Sequence, residues 1–314
     1  MRMPKAVYLV VIASILCFAG CKRDEAPKRI SLEKKTLPNS VGAPAAERPV
    51  RIAVGGMITP KEGFIYYKEF IDYVGKKIGK PVRFVEKEKY EEINRLMRTG
   101  DIDAAFVCSG PYVDGHDEFG MELLAAPQAY GGTVYYSYII VAKDSPIISF
   151  AGLRGKRFAF ADPLSNSGAL VPTYMLAKMN ETPDTFFKQV DYTYAHDKSI
   201  KAVAQKMVDG AAVDSLIWEY LNRTNPEFTS KTRILKKSPP YAIPPVAVRK
   251  GVNPLLKKKI QQAFLEAHND PEGSELLKHM MIERFVRIDD RAYDSVREMK
   301  AWIAQRQMKS TKGQ

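Results

Sequence analysis

The chain has 314 residues, 45% of them hydrophobic and 27% charged, with a formal net charge of +12. Such a composition belongs to a folded protein of about two domains and excludes disorder along the whole length; a single long apolar run excludes a multispanning membrane protein. Three cysteines are too few for a disulfide scaffold, and the positive surplus favours anionic partners without naming one.

Arg2 and Lys5 precede an apolar stretch from Ala6 to Ala19. It is too short for a bilayer span, which takes about 20 residues, and reads as a secretory signal over residues 1–20. The stretch ends in Phe18-Ala19-Gly20-Cys21, which resembles the lipobox of bacterial lipoproteins, where the cysteine is lipidated and begins the mature chain. An ordinary signal cut near Gly20 is the alternative. With Cys17 leaving in the signal and Cys21 under lipid, Cys108 stands alone and no intrachain disulfide is expected. Residues 21–48 mix charges with Pro, Ala and Ser and show no apolar period, so they read as a flexible tether. A lipid at Cys21 implies a periplasmic or cell-envelope protein held at a membrane.

From Pro49 strands and helices alternate. Arg51–Val54 is a strand; Tyr67, Ile71, Val74 and Ile78 then mark one helix face, stopped by Gly79 and Pro81. Val82–Val85 is a strand, Tyr90, Ile93, Leu96 and Met97 line a second helix, and Ile102–Val107, Leu123–Ala126 and Val134–Val141 are strands. Arg157–Ala161 opens a second round of the same pattern. Asp103-Ala104-Ala105-Phe106-Val107-Cys108-Ser109 has an echo in Asp209-Gly210-Ala211-Ala212-Val213-Asp214-Ser215. Chance likeness of two strands explains this, or two lobes of like build, with Cys108, Ser109, Asp214 and Ser215 around one cleft at the carboxyl ends of equivalent strands. Residues 238–248, with four prolines around a short apolar run, read as a stiff return to the first lobe, followed by helices over 254–269 and 290–305. The expected fold is α/β: two doubly wound lobes joined by a two-crossing hinge. Lobe 1 takes residues 49–140 and 244–306, lobe 2 takes 141–243, and 307–314 is a disordered tail.

The chemistry concentrates after the strand at 157–161. Ser165-Asn166-Ser167-Gly168 leads into a helix over 169–179, with Pro172 tolerated in its first turn. Free N–H groups, hydroxyls and the helix dipole converge there on an anion site; a plain helix cap fits the same residues. No Gly-Lys-Ser/Thr follows, so this is not a nucleotide P-loop.

The run from Gly155 to Pro172 resembles the signature of the phosphate/phosphite/phosphonate-binding proteins of ABC importers. Gly110-Pro111-Tyr112, Ala195-His196-Asp197 with Val208-Asp209, and the stretches Asp270-Pro271-Glu272-Gly273 and Arg284-Phe285 to Tyr293 agree with it. The resemblance implies a type II periplasmic binding fold that holds a small phosphorus oxyanion between its lobes and delivers it to an ABC permease. By position, Ser165, Asn166, Ser167 and Gly168 hold the phosphoryl group and Tyr112 reaches across from lobe 1. His196 donates a further hydrogen bond, Tyr67 (or adjacent Tyr66) supplies the first-lobe tyrosine, and Asp214 accepts a proton from the ligand or pairs with an amine on it. Cys108 and Ala195 depart from the family's frequent Gly and Ser.

Duller roles stand beside these: core packing for Tyr67, a turn cap for Tyr112, a loop position for His196, a helix cap for Asp214. A receptor that signals to a membrane kinase needs the same closed shape as one that feeds an importer. A Cys108–His196 thiolate pair is the enzymatic rival, though no activating motif surrounds the cysteine. Neither metal nor cofactor is expected, since His116, His196, His268 and His279 lack ligand spacing. Basic residues without interleaved aromatics read as a solvated surface and not as a nucleic-acid face. A monomer is expected.

Overall fold

The computed structural model describes residues 48–55 and 64–312. The signal, Cys21 and the tether through residue 47 lie outside the described residues, as do 313 and 314. The chain runs through β1 (Val50–Gly55), α1 (Phe64–Ile78), β2 (Val82–Lys87), α2 (Tyr90–Thr99), β3 (Ala104–Phe106), α3 (Ser109–Phe119) and β4 (Glu122–Gln128). After β5 (Val134–Tyr135) come β6 (Ser137–Ala142), β7 (Arg157–Phe160), α4 (Val171–Lys178), α5 (Pro183–Phe186), β8 (Gln189–Tyr192), α6 (His196–Ala204), β9 (Gly210–Asp214), α7 (Ser215–Thr224) and β10 (Thr232–Lys237). Then follow β11 (Tyr241–Ala242), β12 (Val246–Val248), α8 (Pro254–Glu266), α9 (Pro271–His279), β13 (Arg284–Val286) and α10 (Asp294–Lys312).

Local chemistry sets many of these limits. Glu91 and Glu92 open α2 where the helix dipole favours negative charge. Gly100 closes it with φ 75°, which turns its N–H back to the carbonyls of Leu96 and Met97. Asn253 before Pro254 and Asp270 before Pro271 start α8 and α9 alike: a capping side chain, then a proline whose missing N–H has no partner to lose.

Two large sheets result, ordered β13-β4-β12-β3-β1-β2 and β10-β6-β9-β7-β8. Along β1, Ile52 and Val54 pack with Phe70 of α1 and Phe264 of α8, while Ala53 packs with Ile93 of α2 and Val296 of α10. Alternation with period two thus covers the first sheet on both faces. The internal echo is structural. Ile52 pairs with Ala104 in the first lobe, and Phe158 with Gly210 in the second, each partner displaced by 106 residues. The entry of each sheet carries the same clasp: Asp103 accepts from the Arg51 N–H at 2.9 Å, and Asp209 from the Arg157 N–H at 2.8 Å.

β5 and β11 form the two crossings and pair with each other, Tyr135 opposite Tyr241 and Val134 opposite Ala242. The strand expected over 134–141 is broken at Tyr136, whose N–H leaves the ladder for the Ser215 hydroxyl at 2.9 Å. β6 lies wholly in the second sheet, with Ser137 opposite Asp214, so the change of lobe falls at Tyr136 and not after residue 140. The last helix also differs from expectation, continuing to Lys312 where a disordered tail from 307 was expected. It touches both lobes: Lys300 pairs with Asp114 of α3 at 2.6 Å, and Trp302 meets Tyr174 of α4 edge-on at 5.1 Å between ring centroids.

Candidate functional site

The loop after β7 is fixed by its own polar groups. Asp162 accepts from the Leu164 N–H at 2.8 Å, and the Ser165 hydroxyl accepts from the Gly168 N–H at 3.0 Å. A wide π turn over Asn166–Leu170 then leads into α4. Gly168 is required there, because a Cβ would lie 2.6 Å from the Ala161 Cβ and 3.0 Å from the His196 Cε1. From β6, Ser137 donates to the Ser167 carbonyl at 2.6 Å, and from the hinge the Tyr135 hydroxyl accepts from Asn166 Nδ2 at 2.9 Å. Ser165, Asn166 and Ser167 are each 0% exposed.

Ser165 therefore caps, as the plainer reading expects, while its neighbours do not. Asn166 Oδ1, Ser167 Oγ and His196 Nε2 are buried and have no partner. His196 begins α6 beside Gly168, and its Nδ1 accepts from the Asp214 N–H at 3.1 Å. That bond fixes the tautomer: the ring proton sits on Nε2, the nitrogen left free. Burial drives the His196 pKa down to about 3, so the ring is a neutral donor at physiological pH. An unpaired buried polar atom costs about 1–3 kcal/mol. Three of them on residues that converge on one loop mark a place where a guest supplies the missing partners.

Asp214 ends β9 and caps α7, accepting from the Leu216 N–H at 2.8 Å. Burial raises its carboxyl to about 7. Together with Tyr67, Phe106, Tyr130, Tyr220 and Met281, it lines a cavity of about 50 Å³ between the lobes. Tyr67 also packs edge-on to Phe106 at 5.0 Å between centroids, so it is core residue and cavity wall at once. Tyr66 instead stacks on His279.

Tyr112 is not brought to this place. Its hydroxyl donates to Asp290 at 2.7 Å and its ring packs on Tyr293 at 4.7 Å between centroids, inside the first lobe. The helical period carries it one turn beyond Ser109, into the core. The loop is held by other residues, to which the sequence alone assigns no role there: Tyr135 of the hinge with its phenol, Ser137 of lobe 2 with its hydroxyl, and, across the cleft from lobe 1, Tyr90 with its backbone N–H, which donates to Asp162 at 3.2 Å. Cys108 is buried among them with its thiol pKa pushed up by that burial. His196 faces Asp214 and Gly168, so no thiolate pair exists.

Residues 58–293 match the family model described as the periplasmic substrate-binding protein of phosphonate ABC transporters. The chain belongs to that family. Its members are binding components of ABC importers and not enzymes, and they work outside the cytoplasm. The chain is 28% identical over 249 residues to the phosphonates-binding periplasmic protein of Escherichia coli, covering 78% of this chain and 73% of that one. A crystal structure of a binding protein component of an ABC phosphonate transporter from Pseudomonas aeruginosa superposes with a TM-score of 0.76 at 26% identity, over 81% of this chain and 86% of that one. PhnD1 of Prochlorococcus marinus, solved in complex with methylphosphonate, shares the fold at a TM-score of 0.73 and 18% identity, over 81% of this chain and 98% of its own. Both superpositions agree with the type II periplasmic binding fold expected of the sequence. Among the described residues no helix is long and apolar enough to cross a membrane.

Proposed function

We propose that this protein captures a small phosphorus oxyanion (a phosphonate, phosphite or phosphate) between its lobes and delivers it to an ABC permease. It does so as a monomer held to the membrane by lipid on Cys21. The carrying observation is the set of unpartnered buried atoms on Asn166, Ser167 and His196. Ser167 Oγ and the His196 Nε2–H donate to phosphoryl oxygens; Ser165 and Gly168 hold the turn that aims them. Asn166 Oδ1 accepts from a protonated oxygen, and rotating that amide exchanges acceptor for donor without moving the loop. Asp214, poised near neutrality, takes the proton of a P–OH group or pairs with a cationic substituent. Tyr67 walls the substituent's side. The loop from Ser165 to Gly168 carries no basic side chain. Charge-assisted bonds of about 1.5–3 kcal/mol each replace the water that a buried anion loses.

Thermal and chemical denaturation with methylphosphonate, 2-aminoethylphosphonate, phosphite and phosphate tests the reading. A ligand at about 100 times its Kd adds ~2.7 kcal/mol of stability. Unfolding curves that none of the four shifts would overturn it. Cys21→Ser should move the exported protein from the membrane pellet to the soluble fraction, and a variant that stays in the pellet refutes the anchor.

A further inference from the structure

The buried loop sets a steric demand on the opposite lobe. Gly110 lies in the first turn of α3, directly after Ser109, which begins the helix. A Cβ on Gly110 would stand 2.3 Å from the Leu164 carbonyl oxygen, 3.3 Å from the Asn166 nitrogen and 3.5 Å from the Leu164 carbonyl carbon. These are its three nearest neighbours, and all of them are backbone atoms of the other lobe's loop. No flexible side chain is there to give way. Cys108 lies buried two residues before Gly110, its sulfur 3.8 Å from the hydroxyl of Tyr135 in the hinge.

We propose that Gly110 is the positioning residue for closure: its missing side chain lets the start of α3 seat backbone-to-backbone on the Leu164–Asn166 segment and seal the oxyanion loop. With Ser165, Asn166 and Ser167 fully buried, a ligand reaches them only when the lobes part, so this contact must be made and broken in each cycle. Alanine at this position holds the lobes about 1 Å further apart at the junction, since an ordinary contact needs about 3.4 Å. Within its own lobe the same change suits a helical residue. The effect thus falls on closure and not on the fold. The affinity arm of the test rests on the oxyanion reading, whereas the accessibility arm does not.

The test compares Gly110→Ala with its parent, both carrying Cys17→Ser and Cys21→Ser so that Cys108 is the sole thiol. Four readouts apply: labelling of Cys108 by a maleimide without ligand, small-angle X-ray scattering, thermal melting, and calorimetric titration with methylphosphonate, phosphite and phosphate. Expected are labelling faster by about tenfold or more, a larger radius of gyration, Kd weaker by at least about tenfold, and a melting temperature at or above the parent's. Labelling and scattering equal to the parent's overturn the inference. So does a variant that melts well below the parent or fails to fold, which would give Gly110 a role inside its own lobe. A parent that binds none of the three anions sinks the proposed function, while labelling and scattering still decide the role of Gly110.

Discussion

Ser167→Ala should move binding and stability in opposite directions. The hydroxyl is fully buried and lacks a partner, so the fold bears its desolvation, about 1–3 kcal/mol, and gains no bond in return. Alanine removes that cost and leaves a void of one oxygen atom. Ser137 still holds the loop, because it bonds the Ser167 carbonyl and not its side chain. Without ligand the variant should be as stable as the parent, or more so by up to about 1 kcal/mol. Binding loses one charge-assisted hydrogen bond, about 1.5–3 kcal/mol, which at ~1.4 kcal/mol per tenfold weakens Kd by about 10- to 150-fold. Titration calorimetry reads the affinity and urea denaturation without ligand reads the stability. A variant that binds like the parent and unfolds more easily would make the hydroxyl a structural element and refute the reasoning.

Ser165→Ala should show the reverse weighting, a loss of about 1 kcal/mol in urea denaturation, because this hydroxyl caps the turn through the Gly168 N–H; unchanged stability would contradict the cap. Tyr112→Phe removes the bond to Asp290, lowering stability by about 0.5–1.5 kcal/mol and leaving Kd unchanged; a large loss of affinity would return Tyr112 to the cleft. Asp214→Asn should alter the pH dependence of stability. With its folded pKa raised by burial to about 7, Asp214 stabilises the fold below its unfolded value near 3.8 and loses that contribution as pH climbs to about 7. His196, lowered by burial from 6.5 to about 3, does the opposite, its contribution growing as pH climbs through that range. The two offset each other in the parent, so the variant's stability should climb more steeply between about pH 4 and pH 6.5; parallel curves in urea denaturation would refute the burial of Asp214.

Much of this architecture is legible in the sequence wherever short-range chemistry decides it. The Asp103 and Asp209 segments look alike because each closes the same clasp on an arginine N–H of the neighbouring strand. Ser165 to Gly168 stands out because a tight turn into a helix needs small and capping residues, whatever it binds. Tyr112 misleads for a long-range reason. An aromatic residue after Gly-Pro suits a cleft wall, and only its pairing with Asp290 and Tyr293, far along the chain, turns it inward. Tyr135 and Ser137 escape notice for a similar reason. They read as ordinary residues of one apolar strand, and their roles arise from a break at Tyr136 that Ser215 imposes from another element. Gly110 and Pro111 likewise hide the period of α3, so its seating on Leu164 has no signature in the local sequence.

The reach of α10 bears on how such a protein gapes. Beyond the paired ribbon of β5 and β11, the indole of Trp302 rests on Tyr174, and Arg306 donates to the Ala177 carbonyl at 2.6 Å. This leash lies outside the covalent hinge and joins the C-terminal end to the far half. Parting the jaws must therefore drag or slide one ring across the other, which bounds the swing. With tryptophan at only two positions in the whole chain, the emission of Trp302 offers a built-in gauge of that travel.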